Sequence, residues 1–162
     1  MRRLPMVVAL AVLLCGAAQA QEQSDPAPWR PLDGRDAGAV GSCHRLDDDE
    51  TVACMIVRCD RARGLELVYR HGGLMGEPHP TRYNLQIDRY RTTVEFSPLS
   101  REEIALPLAG REPLVNAMAR PGRADPMLRL LSLPGQIQEY STAFELTRAG
   151  PMIERVRRAC RR

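Results

Sequence analysis

The sequence contains no lysine and few aromatic residues. All 23 basic residues are arginines, and Phe, Trp and Tyr together make up 4% of the 162 residues. So few aromatic side chains argue against a stacking surface for sugars or single-stranded nucleic acid. The absence of lysine is attributed to genomic base composition rather than to selection for phosphate binding.

Signatures of common catalytic sites are also missing. The chain has no Gly-x-Ser-x-Gly elbow, no phosphate-binding P-loop and no His-Glu-x-x-His motif. The acidic run 47–50 lacks the alternating ligands and central glycine of a calcium loop, which favours a solvated turn. We therefore predict a protein that is not an enzyme and needs no cofactor.

The first twenty residues show the three zones of a secretory signal peptide. Arg2 and Arg3 precede a nearly continuous apolar run over 4–14, and Ala18-Gln19-Ala20 supplies the small-x-small pattern of a cleavage site. The apolar run is too short for a good membrane span. We expect cleavage after residue 20, a periplasmic or secreted location, and no stable membrane insertion once the signal is removed.

The remaining chain, 21–162, has the length of one ordinary domain and is close to neutral. The signal carries two of the 23 basic residues, so 21 basic residues remain against 20 acidic ones. This balance argues against nucleic acid as a partner. The segment 21–36 is polar with three prolines and is predicted to be a flexible N-terminal arm, followed by a single domain over 37–162.

Strand and helix patterns alternate with turn signals along this domain. Apolar–polar alternation and β-branched runs predict strands near 52–59, 65–70, 83–87, 94–96, 104–108, 127–133 and 138–146. Helical spacing appears at 112–120 and again over 150–162. The pattern predicts a mainly β (α+β) domain, an antiparallel sheet or sandwich with a short middle helix and a C-terminal helix docked on the sheet.

Four cysteines follow the signal: Cys43, Cys54, Cys59 and Cys160. An even number in an exported chain predicts two disulfide bonds, for which three pairings exist. Zinc bound by Cys54, Cys59, His71 and His79 is the rival interpretation, but this spacing matches no usual zinc pattern. We therefore predict disulfides and no metal site.

Predicted strand register selects one pairing. If 47–50 forms a four-residue hairpin loop, Cys43 stands directly opposite Cys54 on the neighbouring strand. A second turn at 60–64 places Cys59 on the strongly apolar face of the same strand, whereas Cys54 lies on the face that carries charged residues.

The second disulfide pair is predicted from the apolar stripe of the C-terminal helix. Cys160 lies on its apolar stripe, and that stripe is the natural cover for the apolar face bearing Cys59. We predict that Cys59 pairs with Cys160 across the core and that the other pair lies on the more exposed side.

The stretch "HGGLMGEPHP", 71–80, is the longest irregular segment of the domain, with His71 and His79 near its ends. Long loops carry function more often than strands do. This loop is therefore a possible contact surface.

The tail "TAFELTRAGPMIERVRRAC" resembles the end of several small exported bacterial families, in which Phe-x-Leu and Gly precede a short helix ending in Cys. In the spacing of Cys43 and Cys54 and in the strand "LVYR", the chain also resembles the periplasmic accessory family associated with type VI secretion. Cys54 departs from that family, because it lies in "VACMIV" rather than an Arg-Leu-x-Cys-Tyr-Asp stretch. A looser similarity is to invasion-associated exported β-proteins.

This resemblance implies a periplasmic, non-enzymatic, largely β protein, and it carries over no functional residue beyond the cysteines. We therefore expect a non-catalytic accessory or binding protein that acts through protein–protein contacts. The alternative is an inhibitor that blocks a lytic enzyme through the exposed loop 71–80.

Overall fold

The computed structural model describes residues 27–46, 51–72, 79–134 and 141–161. The strands in these ranges are β1 (Arg30–Pro31), β2 (Val40–Leu46), β3 (Thr51–Asp60), β4 (Gly64–Arg70), β5 (Thr81–Ile87), β6 (Tyr90–Pro98), β7 (Glu103–Pro107), β8 (Met127–Ser132) and β9 (Ser141–Glu145). The helices are α1 (Glu112–Ala119) and α2 (Ala149–Cys160), and a 3-10 turn spans Gly34–Asp36. The predicted signal peptide lies outside the described residues.

The strands form one antiparallel sheet in the order β1-β2-β3-β4-β7-β6-β5-β8-β9. The sheet curls into a half-barrel, so that β2 near one end approaches β9 at the other. This confirms the prediction of a mainly β domain with a short middle helix and a C-terminal helix packed on the sheet. Of the two predicted architectures, the structure has a single curled sheet.

Both predicted hairpin registers are present. Cys43 pairs with Cys54 between β2 and β3, and Cys59 pairs with Leu65 between β3 and β4. The connection 47–50 lies outside the described residues. The turns and the side-chain alternation were therefore sufficient to set the register of the first three long strands.

The turn between β3 and β4 is stabilised by Asp60. Its carboxylate oxygen Oδ1 accepts hydrogen bonds from the backbone N–H groups of Ala62 and Arg63, both at 2.9 Å. These backbone hydrogen bonds lower the pKa of Asp60. Gly64 closes the turn with φ of +74°, a conformation that residues with a Cβ rarely adopt.

The inner face of the half-barrel holds the main core. Alternate residues of each long strand point inward and meet the apolar sides of α1 and α2, as alternation predicts. The fully buried members include Met55, Leu67, Tyr69, Leu85, Phe96, Leu106, Leu114, Met118, Leu130, Phe144 and Ile153. Burial of each large apolar side chain contributes roughly 1.5–3 kcal/mol. The protein's own side chains therefore fill the interior.

The described part of the predicted flexible arm is docked on the domain. Trp29 is 2% exposed and belongs to the main core, and β1 pairs with β2. The Ser42 hydroxyl also donates a hydrogen bond to the carbonyl of Ala27. The prediction of a flexible arm is therefore wrong for 27–36, because burial of the indole and a short strand pairing fix this segment.

Neither helix in the described ranges is long and apolar enough to cross a membrane.

Candidate functional site

The outer face of the sheet has two halves with different environments. Over β3, β4 and β7, the outer face is covered by residues 32–39, which we call the strap. The strap is closed by a hydrogen bond from Leu32 N to Ala39 O of 3.0 Å. Ala39 packs with Ile56 and Val68 in a small second core. This half is therefore inaccessible to a partner while the strap is in place.

Five charged side chains meet between the strap and the sheet and form the buried charge cluster. Asp36 comes from the strap, and the strands supply Arg58, Glu66, Arg70 and Glu103. Arg70 Nη2 donates to both carboxylate oxygens of Asp36, at 3.0 and 2.8 Å, and Arg70 Nε donates to Glu103 at 2.6 Å. Burial opposes the charge on Arg70, but the hydrogen bonds that Arg70 donates to these two carboxylates, with their negative charge, outweigh it and raise the Arg70 pKa.

Glu66 is the most deeply buried member of the cluster, at 0% exposed. Arg58 Nε donates to Glu66 Oε1 at 2.7 Å. Glu66 Oε2 accepts no hydrogen bond from the described residues, yet it lies 3.2 Å from Arg63 Nε, so an ion pair compensates its charge. Each buried carboxylate thus has at least one guanidinium partner, which is the condition for burying it at tolerable cost.

This cluster corrects the sequence prediction for the charged face. Arg58, Glu66 and Arg70 share one face of the sheet with Ile56 and Val68. The charged residues on this face predict that it is the more exposed side of the sheet, but the strap covers it. Opposite charges on neighbouring strands neutralise one another, so the face can be covered. The predicted register already places Arg58 opposite Glu66. That cross-strand pair of opposite charges is the feature of the sequence that could have indicated a covered face.

The disulfide pairs are the predicted ones, but their burial is the reverse of the prediction. Cys43 bonds to Cys54 with Cα atoms 4.1 Å apart, and Cys59 bonds to Cys160 with Cα atoms 5.3 Å apart. Cys54 is 4% exposed under the strap, whereas Cys59 lies at the solvent-exposed end of β3. Alternation assigns a residue to a face, but not its distance from the end of the core.

These bonds also bear on compartment and metal binding. Disulfides of this kind indicate an oxidising, extracytoplasmic environment. Cys54 and Cys59 are both oxidised, so they cannot serve as zinc ligands with His71 and His79. Among the described residues, no group of three or more His, Cys, Asp or Glu side chains has the arrangement of a metal site.

The other half of the outer face is open to solvent. We call the outward-facing residues of β5, β6, β8 and β9 the open face. Asn84 pairs in register with Thr93 on one side and Leu131 on the other. These residues, with Gln86 and Arg91, line a shallow depression of about 370 Å³. Thr93 donates a 2.7 Å hydrogen bond to the Asn84 side-chain oxygen, which orients both groups at the surface.

Charges on the open face are mostly paired. Arg82 Nε donates to Glu95 at 2.8 Å, and Arg129 forms two hydrogen bonds with Asp125. The latter contacts lower the pKa of Asp125 and raise that of Arg129. The surface is consequently polar and close to neutral. That character suits a wet protein–protein contact better than a small-molecule pocket.

The two histidines of the predicted contact loop flank a segment, 73–78, that lies outside the described residues. His71 N donates to Glu102 O at 2.9 Å, and its ring meets Tyr69 edge-on at 6.1 Å. A Cβ on Gly72 would overlap the backbone of Val52, so only glycine fits this close approach. The start of the loop is therefore anchored on the sheet, and the His79 end leads directly into β5.

His44 is the third histidine, and the structure places it within β2. It points from β2 toward the inner side of β9, where its Nε2 lies 3.3 Å from the Thr142 hydroxyl. This arrangement brings a hydroxyl and an imidazole together, but Thr142 is 5% exposed and cannot reach a substrate. No local sequence pattern indicates this contact, because closure of the half-barrel joins positions 98 residues apart.

Comparisons with protein-family models, curated proteins and solved structures find no match for this chain.

Proposed function

We propose that this protein is an exported, non-catalytic accessory protein that acts in the periplasm or outside the cell by binding another protein. One observation carries the proposal. The chain covers one half of its outer sheet surface with its own strap and leaves the other half open as a polar, four-stranded face with a shallow depression.

The packed interior supports a surface-based role. Leu85, Phe96 and Phe144 are fully buried and occupy the centre of the half-barrel. The inside is thus filled by the protein itself, unlike the ligand cavity of a small carrier barrel. We infer that recognition occurs on the open face, around Gln86, Arg91 and Thr93.

Site-specific photo-crosslinking in producing cells tests this proposal. A photo-reactive amino acid at Gln86 or Thr93 is expected to give one adduct of discrete mass, because both side chains border the depression. Matched controls are Arg61 in the β3–β4 turn and Arg155 on α2, which are exposed and lie outside the open face. The controls should give no adduct.

The outcomes separate several interpretations. Adducts from Gln86 and Thr93 alone support recognition by the open face. An adduct of twice the chain mass identifies a second copy as the occupant. Equal adducts at all four positions, or adducts from the controls only, would contradict the proposal.

The inhibitor is a second candidate, favoured by the anchored start of loop 71–80. Tyr69 is fully buried and contacts His71, so the loop has a buried base, as expected of a loop that enters a partner's cleft. A photo-reactive residue at His79, run in the same experiment, distinguishes the two. A discrete adduct from His79 without one from Thr93 would favour the inhibitor.

A further inference from the structure

The half-barrel has a seam where β2 approaches β9. In the sheet order of the described residues these strands are not hydrogen-bonded to each other, because β1 and β9 are the end strands. His44 spans the seam: its Nε2 lies 3.3 Å from Thr142 Oγ1, and its ring centroid is 5.0 Å from that of Phe144 at an interplanar angle of 55°. Side-chain contacts from one imidazole therefore help to join the two strands.

The imidazole stands at the edge of the main core. Phe144 is fully buried and in turn meets Tyr69 edge-on at 6.1 Å. His44 Nδ1 is buried and has no hydrogen-bond partner among the described residues. A neutral ring leaves one unpaired nitrogen there. A protonated ring would place an N–H and a positive charge in the same position, which is costlier.

Few titratable groups face His44. From β3 it meets Ala53 in register, and from β9 it meets Thr142 and Phe144, none of which titrates in this range. Arg45 and Glu145 are on the same two strands but point to the opposite face of the sheet by alternation. His71 lies beyond Tyr69, and Glu154 and Arg157 on α2 pair with each other. The acidic run 47–50 after β2 lies outside the described residues.

We propose that His44 is a proton-sensitive latch for the β2–β9 seam. The neutral ring holds the seam closed against Thr142 and Phe144. The protonated ring leaves this position, which releases β9 from β2 and exposes the apolar edge of the core.

The direction of the pH dependence follows from burial, which lowers the pKa of His44 below its ordinary value of 6.5. Above 6.5 both the closed and open forms are neutral, and the closed seam has its full stability. As the pH falls from 6.5 through the lowered pKa, the open form binds the proton first. Seam stability is therefore lost on acidification.

Two measurements on the full exported chain test the latch. In the wild type, the NMR titration of the His44 ring should give a pKa below 6.5. Hydrogen–deuterium exchange should show protection factors in β9 that fall between pH 7.5 and pH 5.0. The fall should approach about tenfold for each unit by which the pKa lies below 6.5.

The matched variants isolate the latch from general acid effects. His44→Gln retains a group that can bond Thr142 but cannot be protonated, so its β9 protection should not depend on pH. His71→Gln and His79→Gln should behave as the wild type does. A His44 that titrates at or above 6.5 would overturn the proposal even if His44→Gln does not fold. So would an equal loss of β9 protection in wild type and His44→Gln.

Discussion

The disulfide between Cys59 and Cys160 is expected to stabilise the protein more than the bond between Cys43 and Cys54. The first joins residues 101 positions apart and the second joins residues 11 positions apart. A chain-entropy model of the unfolded state gives a stabilisation of about 4.7 kcal/mol for a disulfide that closes the longer loop and roughly 3 kcal/mol for one that closes the shorter loop. The long bond also ties α2 to the end of β3, which adds to its importance for the fold.

The contribution of each disulfide to the unfolding free energy can be measured in a variant that lacks the other disulfide. Cys43→Ala/Cys54→Ala retains only the long bond, and Cys59→Ala/Cys160→Ala retains only the short one. Urea unfolding of each variant with and without a reductant gives the contribution of the remaining bond. The cost of removing the buried Cys54 side chain cancels within its own variant.

We expect the reductant to lower the unfolding free energy of the first variant by about 1–2 kcal/mol more than that of the second. Equal losses, or a larger loss in the protein with the short bond, would show that α2 is held by packing and that the long bond adds little.

Replacement of Asp36 by alanine is expected to destabilise the protein by about 3–5 kcal/mol, the usual range for removing one partner of a buried ion pair. Asp36 is 7% exposed and accepts two hydrogen bonds from Arg70, at 3.0 and 2.8 Å. Without it, the partly buried guanidinium of Arg70 loses its principal partner, and the strap loses its main polar attachment to β4.

Asp33→Ala is the matched control. Asp33 lies in the same strap but is exposed and makes no side-chain cap for the 3-10 turn. Its replacement should change the unfolding free energy by less than about 0.5 kcal/mol, as is usual at the surface. Similar midpoints in urea for the two variants would mean that the charge cluster does not hold the strap in place.

Local sequence signals were sufficient for most of the secondary structure and for the register of β2, β3 and β4, but they missed β1 in the predicted arm. The turn at 60–64 and the opposition of Cys43 and Cys54 each depend on residues close in sequence, where turn chemistry and alternation act directly. The short helix and α2 were predictable for the same reason, since spacing and flanking proline mark them.

Features that depend on distant contacts were not predictable in this way. The strap is attached to the sheet by the hydrogen bonds between Asp36 and Arg70, which is 34 residues away. No local sequence pattern predicts that contact. The contact between His44 and Thr142 also depends on the curl of the whole nine-stranded sheet, which brings β2 and β9 together. The open face is likewise defined by what the strap leaves uncovered, so the candidate surface emerged only from the folded chain.

The disulfide map of the exported protein is the most direct test of the strand register and of the compartment together. Trypsin cuts after arginine and separates the four cysteines into peptides 36–45, 46–58, 59–61 and 159–161. Without reduction, the digest should contain the first peptide linked to the second and the third linked to the fourth, from a chain whose intact mass begins at Gln21. A link between Cys54 and Cys160, or four free thiols in the exported protein, would contradict the register and the oxidising environment.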